Sequence, residues 1–216
     1  MTTPWSVPRD WVGERVAVLA SGPSMSMEVA EAVRGKCRVI AVNNQAIETY
    51  HVVTRLRLAA LAPWADMLYA ADVKWWMEYQ EQALKFPGDK VTVRTALPFP
   101  EVLSLELSSF IPYDPRPTHV VSGGNSGYQA VHIAVQRGAS RILLCGFDMR
   151  DHHGSKHWFG NHPGKLNTPQ RYTTWITNFG QLNVALKNIG VRMINCTPKG
   201  ALTGIDRMTL EEALNA

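Results

Sequence analysis

The chain contains few cysteines, no long apolar run and no block of basic residues. Its three cysteines, Cys37, Cys145 and Cys196, lie far apart beside strand-like segments, and none belongs to a Cys-x-x-Cys pair. This pattern favours reduced thiols in the core over a metal site. No apolar run approaches the roughly 18 residues of a membrane span, and the N-terminus lacks the charged and apolar regions of a signal peptide. The sequence therefore predicts a cytoplasmic protein without a membrane span.

The composition is that of an ordinary globular chain with a mildly basic charge. Of the 216 residues 45% are hydrophobic, and the formal net charge is +4. This length fits one α/β domain over residues 1–216, and no internal repeat or low-complexity tract divides it. A weakly basic balance suits an anionic ligand and permits a nucleic acid without requiring one.

Short apolar runs alternate with helical patterns along the chain. The predicted strands are 15–20, 38–43, 67–72, 91–93, 119–121, 141–146 and 191–196. The predicted helices are 25–35, 74–86, 125–138, 171–190 and 209–215. The proline-rich segment 94–117 is expected to be an irregular connection, and the polar segment 147–170 a lid-like loop. Alternating βα units with apolar strands predict an α/β, Rossmann-like fold: an open, mainly parallel sheet with helices on both faces.

Small and polar residues follow nearly every predicted strand. Open α/β sheets bind ligands at the carboxyl ends of their strands, so these residues are expected to line one polar cleft. The candidate binding residues are Ser21, Gly22, Pro23, Ser24, Asn43, Asn44, Gln45, Asp72, Gly124, Asn125, Ser126, Gly127, Gly146 and Asp148.

Each of these strand ends has two interpretations. The turns at 21–24 and 122–127 either present backbone N–H groups to a phosphate or are plain turns with a helix cap. Neither matches a Walker A or Gly-x-Gly-x-x-Gly loop. The amides of 43–45 suit a base or ribose, or belong to a polar turn. Asp72 and Asp148 bind a hydroxyl or help to hold Mg²⁺, or they cap helices.

The segment 148–165 combines histidines and lysines. One histidine is a candidate general base because its ordinary pKa lies near neutrality, and the lysines are candidates for neutralising a phosphate. The alternative is a solvated loop, and no spacing matches a zinc motif. Trp158 is a candidate for stacking on a sugar or base, whereas Trp75 is expected in the core because Tyr79 lies four residues later on the same helix face. Trp175 belongs to the apolar positions that recur at helical spacing in 171–190.

The ordered set of motifs resembles a known superfamily. The segments LASGPS, VNNQ, GGNSGYQAVHIAVQRGASRILLCGFDM and NCTP are similar to those of the family 42 bacterial sialyltransferases. They equally resemble the DUF115 group, which includes archaeal-type 6-hydroxymethylpterin diphosphokinases, and small phage proteins share the pattern. The resemblance spans about residues 15–205.

The resemblance implies roles for particular residues. In the sialyltransferases the first two strand ends and the turn opening the later helix contact a cytidine nucleotide sugar, and a lid histidine acts as base. The histidine that matches is ambiguous among His153, His157 and His162, with Asp148 in the Gly-x-Asp motif. Met149 and Arg150 stand where those relatives place tyrosines, so Arg150, Lys156 or Lys165 is expected to neutralise the departing phosphate.

Three functions remain open from the sequence. The first is a glycosyltransferase with a CMP- or UDP-linked sugar donor and a small-molecule or glycan hydroxyl as acceptor, a modified nucleic acid being a further acceptor to consider. The second is a Mg²⁺- and ATP-dependent diphosphokinase acting on a hydroxymethyl group. The third is a non-catalytic nucleotide-binding module. A homo-oligomer is compatible with each.

Overall fold

The computed structural model describes residues 4–51, 53–93, 97–109 and 112–216, and of Lys165 the backbone alone. The strands are β1 (Arg15–Leu19), β2 (Arg38–Val42), β3 (Thr49–Tyr50), β4 (Arg57–Leu58), β5 (Met67–Tyr69), β6 (Asp89–Val93), β7 (Leu103–Ser108), β8 (His119–Val121), β9 (Arg141–Cys145), β10 (Arg192–Asn195) and β11 (Asp206–Arg207). Nine of them form one sheet in the order β11-β10-β9-β1-β2-β5-β6-β7-β8, and every described pairing in it is parallel. Strands β3 and β4 form a separate antiparallel hairpin.

Helices cover both faces of this sheet. They are α1 (Met27–Val33), α2 (Val73–Ala83), α3 (Ser126–Gln136), α4 (Tyr172–Asn188) and α5 (Leu210–Asn215). Alternate residues of β1 point to opposite faces: Val16 and Val18 join the core under α3 and α4, whereas Ala17 and Leu19 join the core under α1, α2 and α5. The predicted α/β Rossmann-like fold is therefore confirmed. Among the described residues, no helix has the length and apolarity to cross a membrane.

The prediction for 94–117 was wrong in part, because this segment supplies strand β7. The sequence LSLELS alternates apolar and polar residues, and Leu105 is buried at 1% exposure. Such alternation is typical of a strand, but the flanking prolines masked it. Residues 94–96 and 110–111 of the predicted connection lie outside the described residues. The β3–β4 hairpin and β11 were also not predicted.

The direction in which the chain crosses the sheet reverses beside β1. From β1 the chain moves outward through β2, β5, β6 and β7 to the edge strand β8, and then returns through α3 to β9, on the other side of β1. The loops after β1 and β9 therefore leave the sheet at a topological switch point. Ligands of open α/β sheets bind in the crevice at this position.

Candidate functional site

The loops after β1 and β9 are joined at the switch point. The Ser24 hydroxyl donates to the Asp148 carboxylate at 2.8 Å, and the Ser24 N–H donates to the same oxygen at 3.3 Å. The Gly22 N–H donates to the Gly146 carbonyl at 2.9 Å. A Cβ at Gly22 would lie 2.3 Å from that carbonyl oxygen and 2.0 Å from the carboxylate. Only glycine allows this close approach of the two loops.

Asp148 is placed where its charge is not freely solvated. Its exposure is 7%, and burial raises the pKa of this carboxyl group above the ordinary value, while the hydrogen bonds from Ser24 oppose the rise. The carboxylate thus holds the first loop in place and also lines a cavity.

A small cavity of about 140 Å³ opens between these loops. The predicted residues that line it are Ser21, Gly22, Pro23, Asn43, Asn125, Ser126, Gly127, Gly146, Asp148, Arg150, Lys156 and His157. Among its described lining residues, the two that carry a positive charge at neutral pH as Lys or Arg are Arg150 and Lys156. Their charge makes the small cavity suitable for an anionic group such as a phosphate.

A large cavity of about 580 Å³ adjoins the small one. The two share six lining residues: Asn43, Asn125, Ser126, His157, Gln170 and Trp175. The large cavity also has Asp72, Gly124 and His162 in its wall, and Asp72 is the only Asp, Glu, Lys or Arg among its described lining residues. The two cavities therefore form one cleft with a cationic and a nearly uncharged compartment.

The three amides after β2 have different positions. Asn43 lines both cavities and has a left-handed backbone, with φ of 56°. Asn44 is fully buried, where it accepts from the Trp75 indole at 2.8 Å and donates to Thr49 at 3.1 Å. Gln45 is also fully buried, and its amide has no partner among the described residues. Of the three, the structure brings Asn43 alone to the cleft.

Two predicted binding residues act as helix caps at the edge of the cleft. Asn125 caps α3 by accepting from the Tyr128 N–H at 2.9 Å, and Asp72 caps α2 by accepting from the Lys74 N–H at 3.0 Å. The Ser126 hydroxyl accepts from the Ala71 N–H, between β5 and α2, at 3.4 Å. The capping interpretation thus holds for Asn125 and Asp72, and these two residues also line the cleft.

The structure separates the three candidate histidines. His157 lies at the junction, in the walls of both cavities, and its imidazole is stacked on Phe159 at 5.0 Å. His162 lines the large cavity alone, with its ring 4.8 Å from His157. His153 is exposed on the outer part of the loop, 4.3 Å from the neighbouring His152 ring, and lines neither cavity.

Burial keeps His157 and His162 neutral. Desolvation lowers the pKa of His157 to about 4, and a hydrogen bond with the Ser21 backbone partly offsets this decrease. Desolvation and the neighbouring His157 lower the pKa of His162 to about 3. A neutral imidazole at the junction has a nitrogen lone pair and can accept a proton.

The histidine loop, residues 147–170, has polar contacts within itself and one described side-chain contact to α4. The Lys156 ammonium donates to Asn167 at 2.7 Å and to the Thr168 carbonyl at 3.1 Å. The Tyr172 hydroxyl, at the start of α4, donates to Asp151 at 2.5 Å. The Lys156 contacts join two parts of the loop, and the Tyr172 contact ties the loop to the start of α4. The side chain of Lys165 lies outside the described part of the structure.

Sequence reasoning missed the contribution of α4. Tyr172 and Trp175 were assigned to an apolar stripe, and Phe179 and Leu182 of that stripe are indeed buried, but the first two line the cleft. Their position in the first turn, beside a polar loop, was the available signal. Trp158, the expected stacking residue, packs beside the core under α1 and α2 and lines neither cavity.

The acidic residues do not combine into a metal centre. Asp148 lines the small cavity and Asp72 the large one. Within the described ranges, no three His, Cys, Asp or Glu side chains are grouped closely enough to hold a metal ion.

The fold and the cleft define the class: an α/β protein with a Rossmann-like sheet and a candidate ligand cleft at its switch point. Among solved structures, the chain is similar to the sialyltransferase CstII from Campylobacter jejuni, analysed in complex with a substrate analogue, cytidine-5′-monophosphate. The identity is 12%, the TM-score is 0.57, and the match covers 95% of this chain and 88% of the other. No protein-family model matches the sequence, and neither does any curated protein. The DUF115 resemblance thus has no support from these comparisons.

Proposed function

We propose that this protein is a glycosyltransferase that moves a sugar from a nucleotide-sugar donor to a hydroxyl acceptor. The observation that carries the proposal is the position of His157, a neutral histidine at the junction of a cationic cavity and a larger, nearly uncharged one. The similarity in fold to a sialyltransferase analysed with cytidine-5′-monophosphate also supports the proposal.

The small cavity is assigned to the phosphate next to the sugar. Arg150 and Lys156 supply positive charge there, and electrostatic stabilisation of a departing phosphate is a large part of the catalysis of such transfers. These two residues take the role for which the sialyltransferases use tyrosines. The hydrogen bond between Ser24 and Asp148 holds the first loop, which contributes Ser21, Gly22 and Pro23 to the wall of the same cavity.

His157 is assigned as the general base. It takes the proton of the acceptor hydroxyl as the oxygen attacks the anomeric carbon, the bond between this carbon and the phosphate oxygen breaks, and the free nucleotide leaves with the electron pair. His157 is preferred to His162, which lines the large cavity only, and to His153, which lines neither. Proton transfer of this kind contributes about 10²- to 10⁴-fold to a rate.

The acceptor is proposed to be uncharged. Proteins that bind nucleic acids neutralise phosphates with Lys and Arg, and the described residues of the large cavity include neither. A glycan or a small hydroxyl compound therefore fits this cavity better than a modified nucleic acid.

A binding and turnover screen tests the proposal. The protein is titrated with CMP, UDP and their sugar conjugates, and release of free nucleotide is followed with and without mixed glycan acceptors. Binding of one nucleotide and its conjugate, with nucleotide release that an acceptor accelerates, is the expected result. Binding without release under any condition would favour the non-catalytic module, and acceptor-dependent AMP release from ATP would favour the diphosphokinase.

A further inference from the structure

Trp175 has an unusual place in the cleft. It lines both cavities, in common with His157, and its ring packs edge-on against Tyr172 at 5.6 Å. The donor of the proposed reaction is too large for the small cavity of about 140 Å³, since pockets for small ligands usually have about 300–1,000 Å³. The donor must therefore extend through the junction, where Trp175 forms part of the wall.

The indole N–H of Trp175 has no hydrogen-bond acceptor among the described residues, although it is shielded from solvent. It lies against the loop before α3, because a Cβ at Gly124 would be 3.0 Å from this nitrogen. A buried donor without a partner costs free energy, and buried indole N–H groups usually find an acceptor. The cleft thus has a donor that a bound molecule can satisfy.

We infer that Trp175 determines donor specificity by contacting the transferred sugar. Its ring packs against the face of the sugar, and its N–H turns away from Gly124 to donate to a sugar oxygen. The inference rests on the proposed function, because it places the anomeric carbon beside His157 and hence the sugar at the junction. The ligand class is a polyhydroxylated ring attached to a nucleotide phosphate.

Trp175→Phe tests this contact, because it keeps an aromatic ring and removes only the N–H and part of the ring area. Trp158→Phe is the matched control: its indole N–H is also buried without a described partner, but Trp158 lines neither cavity. Neither indole N–H has a described hydrogen-bond partner, so neither variant is expected to lose thermal stability from a broken indole hydrogen bond.

The affinities of CMP, CMP-linked sugar, UDP and UDP-linked sugar are measured by calorimetry for the wild type and both variants. Trp175→Phe is expected to weaken binding of the nucleotide sugar by about 2- to 10-fold, the value of one hydrogen bond, and to leave the matching free nucleotide unchanged. Trp158→Phe is expected to change neither affinity.

Two results would overturn the inference while leaving the proposed function in place. One is wild-type affinity of Trp175→Phe for the nucleotide sugar, and the other is equal weakening of sugar conjugate and free nucleotide. If the wild type bound none of the four compounds, the proposed function itself would fail, and the inference with it.

Discussion

The Ser24 hydroxyl lies 2.8 Å from the Asp148 carboxylate and joins the loops that follow β1 and β9. Since a hydrogen bond to a charged group contributes about 1.5–3 kcal/mol, Ser24→Ala is expected to lower the free energy of unfolding by about that amount. It is also expected to weaken nucleotide binding, because the first loop loses its anchor at the small cavity. Urea unfolding and calorimetry with CMP and UDP measure the two effects.

Ser140→Ala is the control for this prediction. Its hydroxyl donates to the Gly13 carbonyl at 2.7 Å, at the opposite end of the sheet. It is expected to cost some stability and to leave nucleotide affinity unchanged. Equal affinities for Ser24→Ala and wild type would contradict the role given to the first loop.

His157→Gln is expected to reduce the transfer rate by about 10²- to 10⁴-fold, the contribution of a general base, with nucleotide affinity close to that of the wild type. His153→Gln serves as the comparison, because His153 is exposed and lines neither cavity. Rates of product formation at saturating donor check the prediction. A large loss in His153→Gln together with normal activity of His157→Gln would refute the assignment.

The pH dependence of transfer is expected to reflect the lowered pKa of the same residue. Because desolvation lowers the pKa of His157 to about 4, the imidazole remains able to accept a proton well below pH 6.5. The decrease of kcat/KM on the acid side, which reports the pKa of the base in the free enzyme, should therefore have its midpoint near pH 4. A midpoint at about pH 6.5, the ordinary value of histidine, would show that a solvated histidine is the base.

Stability is expected to decrease as the pH falls below about 6.5. The folded protein holds His157 with a pKa of about 4, and His132 and His162 with pKa values of about 3, whereas the unfolded chain binds these protons near pH 6.5. Protons therefore favour the unfolded state between pH 6.5 and 4. The raised pKa of Asp148 acts in the opposite sense.

Each of these three histidines is expected to remove about 2–3 kcal/mol of the unfolding free energy by pH 4.5. Urea unfolding at a series of pH values measures this slope. His162→Gln should flatten it, and His153→Gln should not. A stability that stayed constant from pH 7 to 4.5 would mean that the three histidines are protonated in the folded state.

Asn43 combines a left-handed backbone with a position in both cavities. Glycine adopts this backbone without strain, whereas alanine is penalised by about 1–2 kcal/mol. Asn43→Ala should therefore be less stable than Asn43→Gly by about this amount, and both should bind nucleotide more weakly because the amide is gone. Thermal unfolding and calorimetry of the pair separate the two effects. Wild-type affinity of Asn43→Gly for the nucleotide would show that the Asn43 amide does not contribute to binding.

Much of the sheet could be predicted from the sequence, because strands buried on both faces are continuous apolar runs between turn residues. Strand β7 was missed because it lies in a proline-rich segment, although the alternating polarity of 103–108 is typical of a strand. In the structure it pairs with β6 and β8, the strands before and after it in the chain, and such packing decides strand formation as much as local preference does.

The cleft was predictable at the level of strand ends but not of single side chains. The parallel topology brings the ends together, which is why Ser24, Asn43 and Asp148 were predictable. The direction of a side chain within a turn depends on tertiary packing. Asn44 is a polar residue that turns inward to Trp75, and Trp175 is an apolar one that turns outward to the cleft.

The contact between Ser24 and Asp148 has a consequence for the newly made chain. The two residues are 124 positions apart, so the first loop is synthesised long before the residue that anchors it, and α4 follows later still. Domains fold as their segments become available, and contacts between distant segments form slowly. A fragment ending before β9 lacks half of the proposed nucleotide site and is expected not to bind the nucleotide. Ligand binding would then favour chains whose C-terminal half has already folded onto the sheet.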